Sequence, residues 1–126
     1  MNEINLTVPA NPDFLHLIRT VVATVAARAG FTIDEIEDLR LAIDEAGAYL
    51  LSVKPNPGLI RLKVIAGPES LDATVVSDSH PDSWPAAGAK DGLAWKVLSA
   101  LTDEAEFLLQ DGDPAVRIAK RKAVSA

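Results

Sequence analysis

The spacing of apolar residues alternates between strand-like and helix-like periods along the first half of the chain. "INLTVPA" alternates apolar and polar positions, which predicts a strand over residues 4–8 that ends at Pro9. Apolar residues then recur every three or four positions, which predicts a helix over residues 13–28 that Gly30 ends. The buried stripe of this helix is expected to contain Phe14, Leu17, Ile18, Val21, Val22 and Val25.

A second helix is predicted over residues 33–51. Thr32 and Glu35 have the spacing of a capping box, and the acidic residues that follow suit the positive end of a helix dipole. "KPNPG" ends the helix with two prolines and a glycine. Its buried stripe is expected to contain Ile36, Leu39, Ile43, Ala46 and Leu50.

The second half of the chain contains mainly strand patterns. "LIRLKVIAG" and "LDATVVSDS" predict two strands, and "AEFLLQ" and "AVRIAKRK" predict a hairpin around "DGDP". The basic residues of "RIAKRK" are interpreted as keeping an edge strand soluble. Between these pairs, "HPDSWPAAGAKDG" predicts a surface loop and "GLAWKVLSALTD" a short helix. The residues of this helix expected to face inward are Leu93, Val97, Leu98 and Leu101.

This order of elements predicts the fold class. One strand, two helices, two strands, a loop, a helix and two strands are typical of an α+β protein. We expect a two-layer sandwich, with helices on one face of a sheet of four or five strands, and a single domain over residues 1–126.

Composition narrows the function classes. The net charge of −6 argues against nucleic acid as a partner, because a phosphate backbone requires a basic face. The absence of cysteine excludes disulfides, a thiol nucleophile and thiolate zinc sites, and the two histidines make a histidine metal site unexpected. No segment approaches the roughly 20 apolar residues of a membrane span, and "MNEINLTVPA" lacks a signal-peptide pattern. A cytoplasmic protein is therefore expected.

The segment "FLHLIRTVVATVAARAGFTIDEIEDLRLAIDEA" resembles the anti-sigma-factor serine kinases, particularly actinobacterial members. This family belongs to the superfamily of histidine-kinase, gyrase and Hsp90-type ATPases. The resemblance runs to about residue 122, is strongest in "IEDLRLAIDEA" and fades after Asp78. It implies a mixed, mostly antiparallel sheet backed by helices, with ATP and Mg²⁺ held under a flexible lid. It also implies binding to a sigma factor, phosphorylation of an anti-anti-sigma protein of the STAS type, and commonly a homodimer.

The resemblance assigns two positions on the second helix. Glu45 matches the catalytic glutamate of the family, although it can equally be read as a partly solvated helix acid. Tyr49 stands where the family has a Mg²⁺-binding asparagine. A phenol with a usual pKa near 10 is a poor ligand for a hard cation at neutral pH, so Mg²⁺ binding is not expected.

Four further positions lie in the nucleotide boxes of the family. Asp78 matches the adenine-binding aspartate, although aspartate is also common where a strand turns. His80 replaces a glycine and is expected to be exposed to solvent. In the second glycine box Gly92 is retained, but Trp95 stands at its end. Tyr49 and Trp95 are expected to be packing residues that narrow the cleft.

Arg19 lies off the apolar stripe of the first helix and is expected to face solvent. The family has a partner-binding arginine at this position, and the planar guanidinium group suits protein interfaces. The leading hypothesis is therefore an anti-sigma factor that acts by binding, with weak or no kinase activity. The alternatives are an active ATP-dependent serine kinase, a nucleotide sensor, and a partner-binding module unrelated to transcription.

Overall fold

The computed structural model describes residues 2–123, which form five strands and three helices. In chain order the elements are β1 (Asn2–Pro9), α1 (Leu15–Arg28), α2 (Ile33–Ser52), β2 (Leu59–Ala66), β3 (Ser70–Ser77), α3 (Leu93–Leu101), β4 (Glu104–Gln110) and β5 (Asp113–Arg121). The predicted α+β class and the order of elements are confirmed. Within residues 2–123 no helix has the length and apolarity needed to cross a membrane.

The sheet has the strand order β1-β2-β3-β5-β4, and each of its neighbouring pairs is antiparallel. The resemblance implied a mixed, mostly antiparallel sheet, and the four strand pairs are all antiparallel. The interpretation of "RIAKRK" as an edge strand is wrong, because β5 lies between β3 and β4. Its Arg117 instead forms ion pairs on the exposed face of the sheet with Asp72, Glu104 and Glu106. Donation to Asp72, first among these contacts, raises the pKa of Arg117.

The core lies between one face of the sheet and the helices. Alternate residues of the strands point to this face, because successive side chains of a strand point to opposite sides. Buried members on the central strands are Ile60, Leu62, Val64, Leu71, Ala73, Val75, Val116 and Ile118. The helices contribute the other half of the core with Ile18, Val22, Leu39, Ile43, Ala46, Leu50 and Leu98.

The two long helices form an antiparallel hairpin with a defined start. Asn11 caps the 3₁₀ turn that precedes α1, and the capping box before α2 is present as predicted. The Thr32 hydroxyl accepts from the Glu35 N–H at 3.2 Å, and the Thr32 N–H donates to the Glu35 carboxylate at 2.8 Å. Further along α2 the helices approach closely at Gly47, where an added Cβ would lie 2.8 Å from Leu15 Cδ2.

Three residues expected in the core are exposed. Leu93 is 75% exposed, because it lies about 100° around α3 from the buried Ala94. Leu17 is 45% exposed for the same reason relative to Ile18. Phe14 is 37% exposed because it belongs to the 3₁₀ turn before α1 and not to the helix.

Candidate functional site

Four aromatic side chains meet between α2, α3 and β4, and we call them the aromatic cluster: Tyr49, Trp84, Trp95 and Phe107. Tyr49 stacks on Phe107 with a centroid distance of 5.1 Å and an interplanar angle of 15°. Trp95 contacts the same Phe107 ring, with a centroid distance of 5.1 Å and an interplanar angle of 59°. The expectation that Tyr49 and Trp95 are packing residues is therefore confirmed.

Trp84 completes this cluster from the segment that was predicted to be a surface loop. Its ring centroid lies 5.8 Å from Tyr49 and 5.7 Å from Phe107. Its indole Nε1 donates a hydrogen bond of 2.8 Å to the backbone carbonyl of Leu108. The predicted loop is confirmed, but its Trp84 side chain packs against the core although most of its neighbours are exposed.

Glu45 lies one helical turn before Tyr49 and is partly exposed, as predicted for a helix acid. Among residues 2–123 its carboxylate forms no hydrogen bond or ion pair within normal distance. Its neighbours along α2 are engaged differently: Asp44 pairs with α1, and Asp38 lies 3.4 Å from the Lys120 ammonium group. Glu45 is therefore available to solvent, but no basic or metal-binding side chain supports it.

Asp78 holds the start of β2 in place. Its Oδ1 accepts hydrogen bonds from the N–H groups of Gly58 at 2.7 Å and Leu59 at 3.0 Å. Donation from Leu59, then from Gly58, lowers the pKa of Asp78. The next residue, Ser79, is buried and donates its hydroxyl to the carbonyl of Pro55. The retained aspartate thus has a structural function here, since its carboxylate is engaged by the backbone.

Gly92 and His80 lie at the two ends of the segment that carries Trp84. Gly92 is the N-cap of α3, with φ −83° and ψ 167°, a conformation open to any residue. A Cβ at Gly92 would lie 3.3 Å from the Ala89 carbonyl, which makes the position tight. The His80 side chain is 75% exposed, as predicted, with Nε2 at 3.9 Å from Asp113.

The Arg19 side chain is only partly exposed, less than predicted, and lies in the groove between α1 and α2. Its Nη1 donates to Asp44 Oδ2 at 2.8 Å, and its Nη2 lies 2.7 Å from His16 Nδ1. The Arg19 and Asp44 side chains are 29% and 34% exposed. The Nε of Arg19 is buried without a hydrogen-bond partner among the described residues. The guanidinium group is thus fixed in orientation, with part of its donor set unused.

Comparison with known proteins gives matches of two kinds. Over 43 residues the chain is 49% identical to the serine-protein kinase RsbW of Bacillus subtilis, covering 34% of this chain and 27% of that protein. Over 118 residues it is 28% identical to the anti-sigma-F factor RsbW of Mycobacterium tuberculosis, covering 92% of this chain and 67% of that protein. No protein-family model matches the chain. The chain is therefore similar to anti-sigma-factor serine kinases over most of its length.

A solved structure supports the fold of this chain. The RsbU and RsbW domains of a Mycobacterium tuberculosis protein align with a TM-score of 0.72 at 19% identity, covering 100% of this chain and 34% of that chain. The chain spans less than a third of the length of the Bacillus kinases that it matches, at 27%, 29% and 31%. The resemblance inferred from the sequence is confirmed.

Two cavities of the described residues lie away from the residues that the resemblance assigns. One of about 720 Å³ opens between β1 and the end of α1, near Ile4 and Arg28. Another of about 190 Å³ lies on the polar face of the sheet, near Arg61 and Thr74. Within residues 2–123 no group of three or more His, Asp or Glu side chains is arranged to hold a metal ion.

Several residues of the candidate site were missed from the sequence. Phe107 could have been found, because alternation along β4 places it on the inner face with Ala105. Trp84 had a weaker signal, since a large aromatic residue in a proline-rich segment often anchors that segment. Asp44 and His16 had no sequence signal, because no sequence pattern predicts which residues of two packed helices will contact each other.

Proposed function

We propose that this chain is an anti-sigma factor that sequesters an alternative sigma factor by binding affinity, without using nucleotide. An anti-anti-sigma protein of the STAS type would release the sigma factor by competing for the chain. The names of the RsbW relatives support the anti-sigma activity. The aromatic cluster supports the absence of nucleotide chemistry, and it is the observation on which that part of the proposal depends.

The residues at the position of the implied metal do not fit Mg²⁺. Magnesium requires oxygen ligands in near-ideal octahedral geometry, and it is usually held by carboxylates, phosphates and water. Tyr49 offers only a phenol, and its ring is stacked on Phe107 and tilted against Trp84. Moving this ring toward a metal would disrupt both contacts.

The residues at the position of the implied ATP fit it equally poorly. The Asp78 Oδ1 already accepts hydrogen bonds from two backbone N–H groups at the start of β2. A nucleotide base would have to compete with these two hydrogen bonds. Trp95 lies against Phe107, where the family has a glycine box that lets the backbone approach the nucleotide. No reaction step through ATP is therefore assigned to this chain.

Inhibition by affinity alone requires a defined contact surface. The groove between α1 and α2 offers Arg19, whose guanidinium group is held by Asp44 and His16. Arginine recognises carboxylates through paired N–H donors, and a fixed guanidinium loses less conformational entropy on binding. We assign Arg19 to the partner surface, and we expect its preferred contact to be a carboxylate of the sigma factor or of the anti-anti-sigma protein.

Homodimer formation, which the resemblance implies, is also part of the proposal. β1 lies at one edge of the sheet and most of its side chains are exposed. An exposed edge strand presents unpaired backbone groups that a second chain can bind. Light scattering across a concentration series measures the mass directly, and a monomeric mass at every concentration would contradict this part.

The experiment that tests the proposal is transcription in vitro with the alternative sigma factors of the same genome, added one at a time with RNA polymerase. We expect the chain to inhibit at least one of them in buffer that contains only the nucleotides of the assay. A companion binding measurement, with purified sigma factor and no nucleotide, should show the same selectivity. Binding that requires added ATP and Mg²⁺ would refute the nucleotide-independent mechanism.

The alternative is an active serine kinase, and one observation favours it. Glu45 is retained, partly exposed and unpaired, as a general base would need to be. Calorimetric titration with ATP and Mg²⁺ separates the two functions, because the proposed mechanism predicts no saturable heat at micromolar ligand. Transfer of labelled phosphate to an anti-anti-sigma protein would establish the kinase.

A further inference from the structure

Two side chains of the segment that links β3 to α3 hold it against the rest of the fold. We call residues 80–92 the strap; beyond its 3₁₀ turn at Ala89–Asp91 it contains no regular structure. Most of its side chains are exposed, and the partly buried Trp84 is its largest residue. The strap therefore has little packing of its own, and its position depends on a few contacts.

The first and stronger fastening is Trp84. Its ring touches Tyr49 of α2 and Phe107 of β4, and its indole N–H donates to the Leu108 carbonyl at 2.8 Å. The contacts therefore join the strap both to a helix and to the sheet. A buried indole N–H usually finds such a partner, which makes the orientation of the ring specific.

The second fastening is Lys90, near the other end of the strap. Its ammonium nitrogen lies 4.9 Å from the centroid of Trp95, within the distance of a cation–π contact. Both Lys90 and Trp95 are at least partly exposed, so this contact contributes less than that of Trp84. Trp84 is therefore the contact on which the position of the strap chiefly depends.

We propose that the Trp84 side chain occupies the cleft between α2, α3 and β4 and thereby prevents other ligands from binding there. The indole ring takes the space that a flat heterocyclic ligand would need, stacked near Tyr49 and Phe107, and its N–H occupies the Leu108 carbonyl. This inference rests on the proposed function, because it gives nucleotide-independent binding a structural cause. It adds a residue that the family resemblance did not assign.

The protein has two tryptophans, so replacing Trp84 leaves Trp95 as the only indole reporter in the cluster. Trp84→Phe keeps an aromatic ring but cannot donate to Leu108, and Trp84→Ala removes both. Acrylamide quenching of Trp95 and the rate of trypsin cleavage after Lys90 then report whether the strap is closed. Cleavage after Arg28, at the end of α1, serves as an internal control for global unfolding.

Loss of the indole contacts in Trp84→Ala should raise the rate of cleavage after Lys90 by roughly tenfold relative to the wild type. It should also raise the acrylamide quenching of Trp95 above its value in Trp84→Phe, by a smaller factor because Trp95 is already partly exposed. Cleavage after Arg28 and the far-ultraviolet circular dichroism should stay unchanged. Trp84→Leu gives the same comparison with more apolar volume, in case the alanine variant does not fold. Equal quenching and equal cleavage after Lys90 in the folded variants would overturn the proposal.

A titration of the wild-type protein with ATP and Mg²⁺ separates failure of this inference from failure of the proposed function. Micromolar binding that speeds cleavage after Lys90 would refute nucleotide-independent inhibition, but it would leave Trp84 as the group that must be displaced. Micromolar binding with an unchanged cleavage rate would overturn the inference as well, because the cleft would accept ligand while Trp84 stays in place. If the wild-type protein binds no ATP and Trp84→Ala is cleaved faster after Lys90, the results support both this inference and the proposed function.

Discussion

Replacing Arg19 with alanine tests the proposed partner surface more directly than any other single change. Arg19 is fixed by Asp44 and His16 in the groove between the two long helices. If its remaining donors contact a partner carboxylate, the loss should weaken that complex by about 1–3 kcal/mol, as for other interface anchors. This range corresponds to a roughly 5- to 150-fold increase in Kd.

The same substitution should change the stability of the free protein much less. The Arg19 and Asp44 side chains are 29% and 34% exposed, so solvent screens the ion pair strongly. Pairs of this kind contribute about 0–1 kcal/mol to folding. A large loss of affinity together with a small shift of the urea midpoint would therefore identify an interface effect.

Asp44→Asn gives the opposite perturbation at the same site. It removes the negative charge that faces Nη1 at 2.8 Å and leaves the arginine in place. If the partner presents a carboxylate, binding should become tighter, by at most about fivefold for a contact that is partly solvated. The double variant should bind like Arg19→Ala alone, because Asp44 acts only through the guanidinium group.

The measurement is the Kd for the sigma factor and for the anti-anti-sigma protein, at one ionic strength, for all four proteins of this cycle. Arg28→Ala is a matched control, since it removes an exposed arginine from the end of the same helix. Surface changes of this kind usually cost less than about 0.5 kcal/mol, or roughly twofold in Kd. Wild-type affinity of Arg19→Ala for both partners would refute the assignment.

Three other expected outcomes concern single residues. Glu45→Ala should leave the nucleotide-free Kd for the sigma factor within about twofold of wild type, because no described group depends on its carboxylate; abolished binding would contradict the binding mechanism. Thr32→Ala should lower the free energy of unfolding by about 1 kcal/mol through loss of the α2 cap, measured with urea. Asp78→Asn should cost about 1 kcal/mol near neutral pH, because the amide oxygen accepts less strongly from Leu59 and Gly58. The lowered pKa of Asp78 gives stability that is complete above its usual value of 3.8 and is lost as pH falls through the folded pKa, so the wild-type advantage should shrink in acid.

The elements of the fold could be predicted because their signals are local. The capping box at Thr32 fixed the start of α2, and alternating apolar residues located the strands. The β4–β5 turn follows the same logic: Asp111 and Gly112 both have positive φ, as the "DG" dipeptide requires in a tight hairpin. Local patterns of this kind need no knowledge of which elements are neighbours.

What failed depends on contacts between distant parts of the chain. Arg19 was expected to face solvent because its own helix gives it a polar position, and only the packing of α2 brings Asp44 to it. The strand carrying Arg117 was placed at an edge because hairpin order does not reveal that β5 inserts beside β3. Trp84 was correctly assigned to a loop, but its packing was not predicted, because a side chain needs no regular backbone to pack.

The residues at the position of the implied nucleotide contact one another, so a change at one of them affects the others. Restoring an asparagine at Tyr49 would remove a ring that touches both Trp84 and Phe107. A polar amide would then lie beside two aromatic faces, and an unsatisfied polar group in such surroundings costs about 1–3 kcal/mol. Removing Trp84 alone would leave Tyr49 and Phe107 stacked across the position of the implied metal. A single reversion therefore loses packing without regaining a ligand site, so the missing metal ligand and the filled cleft form one structural change.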